Sequence, residues 1–194
     1  MYIPLADFWH PDPDSIPTKP SMHIIDINLI GVMYSLKLAI HYFRASPIAA
    51  ERDRCFIFGG SIAGYADNLS SWEYSTSKFG LRGLMRTVRR QCHHQGMRVA
   101  YIAPSYVRTA IQSQQVYQAI LDKGIEFASL QGCVDAVIRI ACDKQINGRS
   151  FGIVPASVAE AGFVDLNEDD FGGGEKYLDG FQKAVIKLRG DDWH

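Results

Sequence analysis

Tyr74 and Lys78 stand four residues apart in a stretch whose apolar residues recur at helical spacing, so their side chains leave one face and reach one site. A free phenol, with a pKa near 10, is only about one part in a thousand ionised at neutral pH. An ammonium a few ångströms away favours the phenolate by roughly a few kcal/mol, and so makes tyrosine a usable general acid or base. Ser61 lies thirteen residues before Tyr74, just past the run Cys55-Phe56-Ile57-Phe58, which ends in Gly59-Gly60. A run apolar at every position is expected of a strand covered on both faces, and open α/β sheets place ligands at the carboxyl ends of such strands. The Ser61 hydroxyl is therefore expected beside Tyr74, holding a carbonyl oxygen. Taken singly, each residue has a structural reading as well: a core Tyr under a snorkelling Lys, and a Ser that caps a turn.

Alternating strands and helices would position these groups. Between Ile25 and Phe43, the residues Leu29, Met33, Leu36, Ile40 and Phe43 predict a helix with one buried face. Ser70, followed three residues later by Glu73, predicts a capping box opening a helix that runs to about Gln91 and is stopped by Gly96. Arg98 to Ile102 reads as a strand closed by Pro104, Val134 to Cys142 as a helix, and Ser150 to Val154 as a strand closed by Pro155. An acidic, glycine-rich stretch from Asn167 to Gly174 leads into a last helix, Glu175 to Leu188. Residues 1–19 carry repeated prolines and read as an extended loop, 20–155 as the α/β unit, and 156–194 as a C-terminal extension with a helix. The alternation predicts about three parallel strands with flanking helices.

The composition narrows the partners. With 194 residues, 47% hydrophobic and 21% charged, the chain suits one globular domain. A formal charge of -1 supplies no field for a phosphate backbone, so nucleic acid is not an expected partner. No uninterrupted apolar run approaches the roughly 18 residues of a bilayer span, and the opening segment lacks a signal-peptide pattern. No membrane association is expected. Cys55, Cys92, Cys133 and Cys142 form no CxxC pair, which points to a reducing, cytoplasmic setting. Cys92-His93-His94 are adjacent on a helix and point in different directions, so no metal is assigned.

Gly60, Ser61, the thirteen-residue interval and Tyr74-Ser75-Thr76-Ser77-Lys78 together resemble the short-chain dehydrogenase/reductase family. Asp26-Ile27-Asn28-Leu29-Ile30-Gly31 resembles the family helix that carries its catalytic asparagine, here Asn28. Ala103-Pro104-Ser105-Tyr106-Val107-Arg108-Thr109 resembles its Pro-Gly-x-Val-x-Thr segment, with Ser105 in the place of the glycine. Asn147-Gly148-Arg149 fits the approach to the last strand. The wording of Tyr34 to Phe43, Ser77 to Arg86 and Gly148 to Pro155 looks most like the fungal secondary-metabolism branch, near the 5'-hydroxyaverantin dehydrogenase-like enzymes.

The resemblance implies a doubly wound Rossmann-type sheet, of which residues 20–155 would be the C-terminal half, in a chain truncated at its N-terminus. It implies NAD or NADP as cofactor, and interconversion of a secondary alcohol and a ketone on a small, polyketide-like substrate. Ser61 would hold the substrate oxygen and Tyr74 would move its proton. Lys78 would lower the Tyr pKa and grip the nicotinamide ribose, and Asn28 would hold a water linking Lys78 to solvent. Tyr74, Lys78, Pro104, Val107 and Thr109 would contact the cofactor. Trp72, Tyr65, Leu69, Tyr106 and Ile111 would offer apolar walls, and the helices bearing Asn28 and Tyr74 would pair in a homo-oligomer. No glycine-rich turn for a pyrophosphate is present, which leaves a second expectation: an inactive remnant without the dinucleotide-binding half, unable to bind cofactor alone.

Overall fold

The computed structural model describes residues 14, 16, 18–46, 53–66, 71–167, 169 and 176–188. Helix α1 runs His23–Ala45. Its residues Asp26–Ile30 wind as a π-helix, a local widening that often marks a functional position, before α geometry resumes over Gly31–Ala45. Strand β1 is Cys55–Gly59, and a 3₁₀ turn, Ile62–Gly64, follows it. Helix α2 spans Trp72–His94, strand β2 Arg98–Pro104, helix α3 Gln114–Leu121 and helix α4 Leu130–Cys142. Strands β3 (Arg149–Ile153) and β4 (Phe163–Asp165) precede helix α5, Lys176–Leu188.

The sheet order is β1-β2-β3-β4, with β1, β2 and β3 parallel and β4 antiparallel to β3. The antiparallel β4 is an addition to the expected three or so parallel strands. A three-residue strand is too short to show a period-two pattern, and an antiparallel neighbour needs no helical crossover to announce it. Phe163 on β4 packs edge-on to Phe151 at 5.8 Å between ring centroids. Helix α3 also went unforeseen.

Alternation along β2 divides the core. Val99, Tyr101 and Ala103 face a layer built from Leu36 of α1 and from Leu81, Met85 and Cys92 of α2. Ala100 faces Ala136 and Ile140 of α4, with Phe151 and Ile153 alongside. Leu81, Met85 and Ile140 have no exposed surface, and burial of such side chains contributes about 1.5–3 kcal/mol each. At the far end of β2, buried Arg98 donates to both carboxylate oxygens of Asp53 and to the carbonyls of Ile140 and Ile146. That pairing holds the Asp53 carboxyl below its usual range.

Helix α1 lays Leu29, Val32, Leu36, Ile40 and Phe43 on this core while Ile27, Tyr34, Leu38 and Tyr42 stay exposed. By length and composition α1 is long and apolar enough to cross a membrane, with a mean hydropathy of 1.4. The sequence reading, which asked for an uninterrupted apolar run, passed over it because polar residues interrupt the helix. All four cysteines are free thiols.

Candidate active site

Chain reversal after β1 depends on two glycines and one tyrosine. The parallel register sets Tyr101 on β2 opposite Phe58 on β1, and the Tyr101 ring runs under the turn that begins at Gly60. A Cβ on Gly60 would come within 1.9 Å of that ring, and one on Gly64 within 2.6 Å of its hydroxyl, so glycine is required at both positions. Ser61 then caps the 3₁₀ turn. Its Oγ accepts the Ala63 N–H at 3.1 Å and donates to the Pro104 carbonyl at 3.4 Å. The Tyr101 hydroxyl accepts the Ser61 N–H at 3.1 Å, with the carbonyls of Ser61 (3.3 Å) and Lys78 (3.2 Å) in reach of its proton.

Helix α2 supplies the next groups. Ser70 lies outside the described residues; the cap is Ser71, whose Oγ accepts the Tyr74 N–H at 3.3 Å and donates to Glu73 at 3.2 Å. Capping there puts Tyr74 and Lys78 in the first two turns of α2. Lys78 Nζ donates to the Gly59 carbonyl at 2.9 Å and lies 5.3 Å from the centre of the Tyr74 ring. Burial pushes the Lys78 ammonium below the usual lysine range. Among the described residues, no protein group bonds the Tyr74 hydroxyl. Ser77, fully buried, donates to the Tyr74 carbonyl at 2.7 Å and accepts from Asn28 Nδ2 at 3.4 Å. Asn28, within the π-helical turn of α1, thus touches the Tyr74–Lys78 turn through Ser77. Lys78, with Tyr74 beside it, reaches the carboxyl end of β1 through Gly59, and the Tyr101 hydroxyl joins the Ser61 and Lys78 backbones there.

The segment after β2 borders this cluster. Pro104 presents its carbonyl to Ser61, Val107 forms an isolated bridge with Ala128, and Thr109 is exposed. Ser105, which replaces the expected glycine, has an ordinary backbone, since Asn167 alone among described non-glycine residues has a positive φ. The Ser105 Oγ is buried with no hydrogen-bond partner. Tyr117 of α3 closes the segment: its hydroxyl accepts the Thr109 N–H at 3.0 Å and donates to the Thr109 carbonyl at 2.7 Å. Contact with Thr109 draws the Tyr117 phenol below its usual range.

One buried carboxylate, Asp169, lies in the acidic, glycine-rich stretch to which the sequence assigns no role. Asp169 accepts from Arg82 Nε at 2.8 Å, Ser150 Oγ at 2.7 Å and the Tyr65 hydroxyl at 2.9 Å. Burial alone would raise its pKa, but the hydrogen bonds from Ser150, Arg82 and Tyr65 outweigh that and lower it. Tyr65 is therefore no free apolar wall: the Arg82 guanidinium lies 3.7 Å over its ring, and burial pushes its phenol well up. Leu69 lies outside the described residues, as do Gly172 to Gly174. Tyr106 and Ile111 are exposed, and Trp72 is half-buried. Among the described residues no group of three or more His, Cys, Asp or Glu would hold a metal ion.

The family model described as short chain dehydrogenase matches residues 13–119, and the chain belongs to that family. It is 35% identical over 167 residues to the 5'-hydroxyaverantin dehydrogenase of Dothistroma septosporum, a match covering 82% of this chain and 53% of that protein. Over 188 residues it is 30% identical to the NADP-dependent dehydrogenase M3 of a Phoma species, covering 89% and 55%. The fold is similar to that of 3-hydroxyacyl-CoA dehydrogenase type-2 from Mycobacterium avium, with a TM-score of 0.61 and 22% identity over 70% of this chain and 56% of that one. The chain spans about half the length of the curated relatives it matches. Placement of residues 20–155 as a C-terminal half is overturned. The match begins at residue 13, within the proline-punctuated segment read as lying outside the domain, and it ends in α3, before the third strand. Prolines signal a break in regular structure, not the edge of a family domain.

Proposed function

We propose that the protein is an NAD(P)-dependent oxidoreductase that interconverts a secondary alcohol and a ketone. The carrying observation is the Tyr74 hydroxyl, unbonded by protein among the described residues, with Lys78 Nζ 5.3 Å from its ring at the end of the strand that presents Ser61. Ser61 donates a hydrogen bond to the substrate oxygen. Tyr74 takes the hydroxyl proton as an alcohol becomes a ketone, and returns it in the reverse direction. Lys78 stabilises the charge developing on the Tyr74 oxygen. Asn28 acts through Ser77 and a water toward Lys78. A proton transfer of this kind contributes on the order of 10² to 10⁴ in rate.

A nicotinamide cofactor suits the donors present. Lys78 offers an ammonium for the ribose, Thr109 an exposed hydroxyl, and Pro104 and Val107 an apolar border. Ser105 offers a buried hydroxyl that lacks a partner. When bound, the nicotinamide ring supplies the hydride acceptor or donor.

The finer reading is a bulky, polyketide-like aromatic substrate in fungal secondary metabolism, supported by the identity to the 5'-hydroxyaverantin dehydrogenase and by the exposed apolar side chains of Tyr106 and Ile111 on the segment after β2. A cytoplasmic setting and self-association through the outer faces of α1 and α2 complete it, with sizing chromatography as the check on association. The direct test is a titration of the purified chain with NAD and NADP, followed by turnover of aromatic secondary alcohols read at the reduced-nicotinamide absorbance. Tyr74→Phe is expected to cut turnover at least about 100-fold while leaving cofactor affinity within a few-fold. A variant keeping more than about a tenth of wild-type turnover, or a wild-type chain that neither binds cofactor nor turns over, overturns the reading.

A further inference from the structure

We propose that Tyr101 is a positioning residue: its buried phenol ties the Ser61 turn to the Lys78 turn of α2 and so sets the spacing between the groups that hold and protonate the substrate oxygen. This rests on the reading of Ser61, Tyr74 and Lys78 as the working residues.

Tyr101 has no exposed surface, and the oxygen at the end of its ring meets the backbone of both catalytic segments. It accepts the Ser61 N–H, and its single proton serves the carbonyl of Ser61 or of Lys78. A tyrosine in an apolar strand must place its hydroxyl on partners when it is buried. Here those partners come from the two elements whose relative position the chemistry depends on. The space was made for it, since Gly60 and Gly64 leave out the Cβ atoms that would collide with the ring and the hydroxyl. Tyr65 packs edge-on to Tyr101 at 6.1 Å and blocks sideways movement of the ring. Tyr101 never touches substrate in this scheme. It acts by holding Ser61 and by fixing the Lys78 carbonyl, while Lys78 Nζ returns to Gly59 on the other side of the same turn. Burial and the nearby Tyr74 phenol raise the Tyr101 pKa to about 12, so the hydroxyl keeps its proton throughout the working pH range.

Tyr101→Phe keeps the ring and removes only the oxygen, so the variant retains its core packing. Hydrogen exchange on the full chain reads the first consequence. The Ser61 amide is expected to exchange about 10- to 100-fold faster, whereas Tyr65→Phe, which strips a neighbouring phenol that serves Asp169, leaves it unchanged. Turnover reads the second: kcat falls about tenfold with the cofactor KM unchanged, while the melting temperature drops by only several degrees, as loss of one buried hydroxyl's bonds requires. Unchanged Ser61 exchange in Tyr101→Phe overturns the proposal, as does faster exchange in an active enzyme whose kcat stays at the wild-type value. If wild-type chain shows no turnover, the functional reading fails, and exchange alone decides whether Tyr101 joins the two segments. As a second variant, Gly60→Ala forces a methyl into the Tyr101 ring and is expected to accelerate the same amide. Combined with Tyr101→Phe it should add little more, since both lesions displace one contact.

Discussion

Replacing Asp169 by alanine removes the carboxylate that gathers Arg82, Ser150 and Tyr65 at 2.7 to 2.9 Å. The Asp169 side chain is 4% exposed and that of Arg82 16%, so the pair belongs to the buried class, for which loss of one partner costs about 3–5 kcal/mol. Ser150, 1% exposed, also loses the acceptor of its hydroxyl. For a chain of this length about 2–4 °C of melting temperature corresponds to each kcal/mol, so Asp169→Ala is expected to melt roughly 10 °C lower at pH 7. Asp169→Asn keeps the shape but turns an amide donor toward a set of donors, and should lose about half as much. The fold holds this carboxyl below its usual range, so its contribution is complete above the unfolded-state pKa of about 4 and fades as pH drops through the lower folded value. Thermal unfolding followed by circular dichroism at a series of pH values should show the gap between wild type and Asp169→Asn narrowing below about pH 4. A neutral-pH loss under about 1 kcal/mol for Asp169→Ala, or a gap that stays constant into acid, would refute the reasoning.

Arg98→Met should destabilise by about 3 kcal/mol or more in chemical denaturation, because it strands the carbonyls of Ile140 and Ile146 and removes the partner of Asp53. Lys78 titrates below the ordinary lysine range, so the unfolded chain binds its proton more tightly and stability rises with pH through the interval below the unfolded lysine value. Lys78→Met should abolish that rise, and an unaltered alkaline slope in pH-dependent unfolding would count against the assignment.

Residue type and spacing determined the candidate chemistry before any coordinate. Tyr74 and Lys78 share a face because a helix repeats every 3.6 residues, and Ser61 follows an apolar run whose glycines mark its end. These are local facts, carried within some twenty residues. The strand-and-helix alternation is local too, since each element's periodicity is written in its own residues. What joins distant segments was not readable in this way. Asp169 is an acidic residue in a glycine-rich stretch until β3 and α2 bring Ser150 and Arg82 to it. Tyr101 reads as one more apolar strand residue until the parallel register sets it beneath Gly60 and Gly64. Strand β4, at three residues, has no pattern of its own and exists through its ladder to β3. The bond from Lys78 to Gly59 and the approach of Asn28 through Ser77 likewise belong to packing, because a hydrogen bond depends on distances that only the folded chain sets.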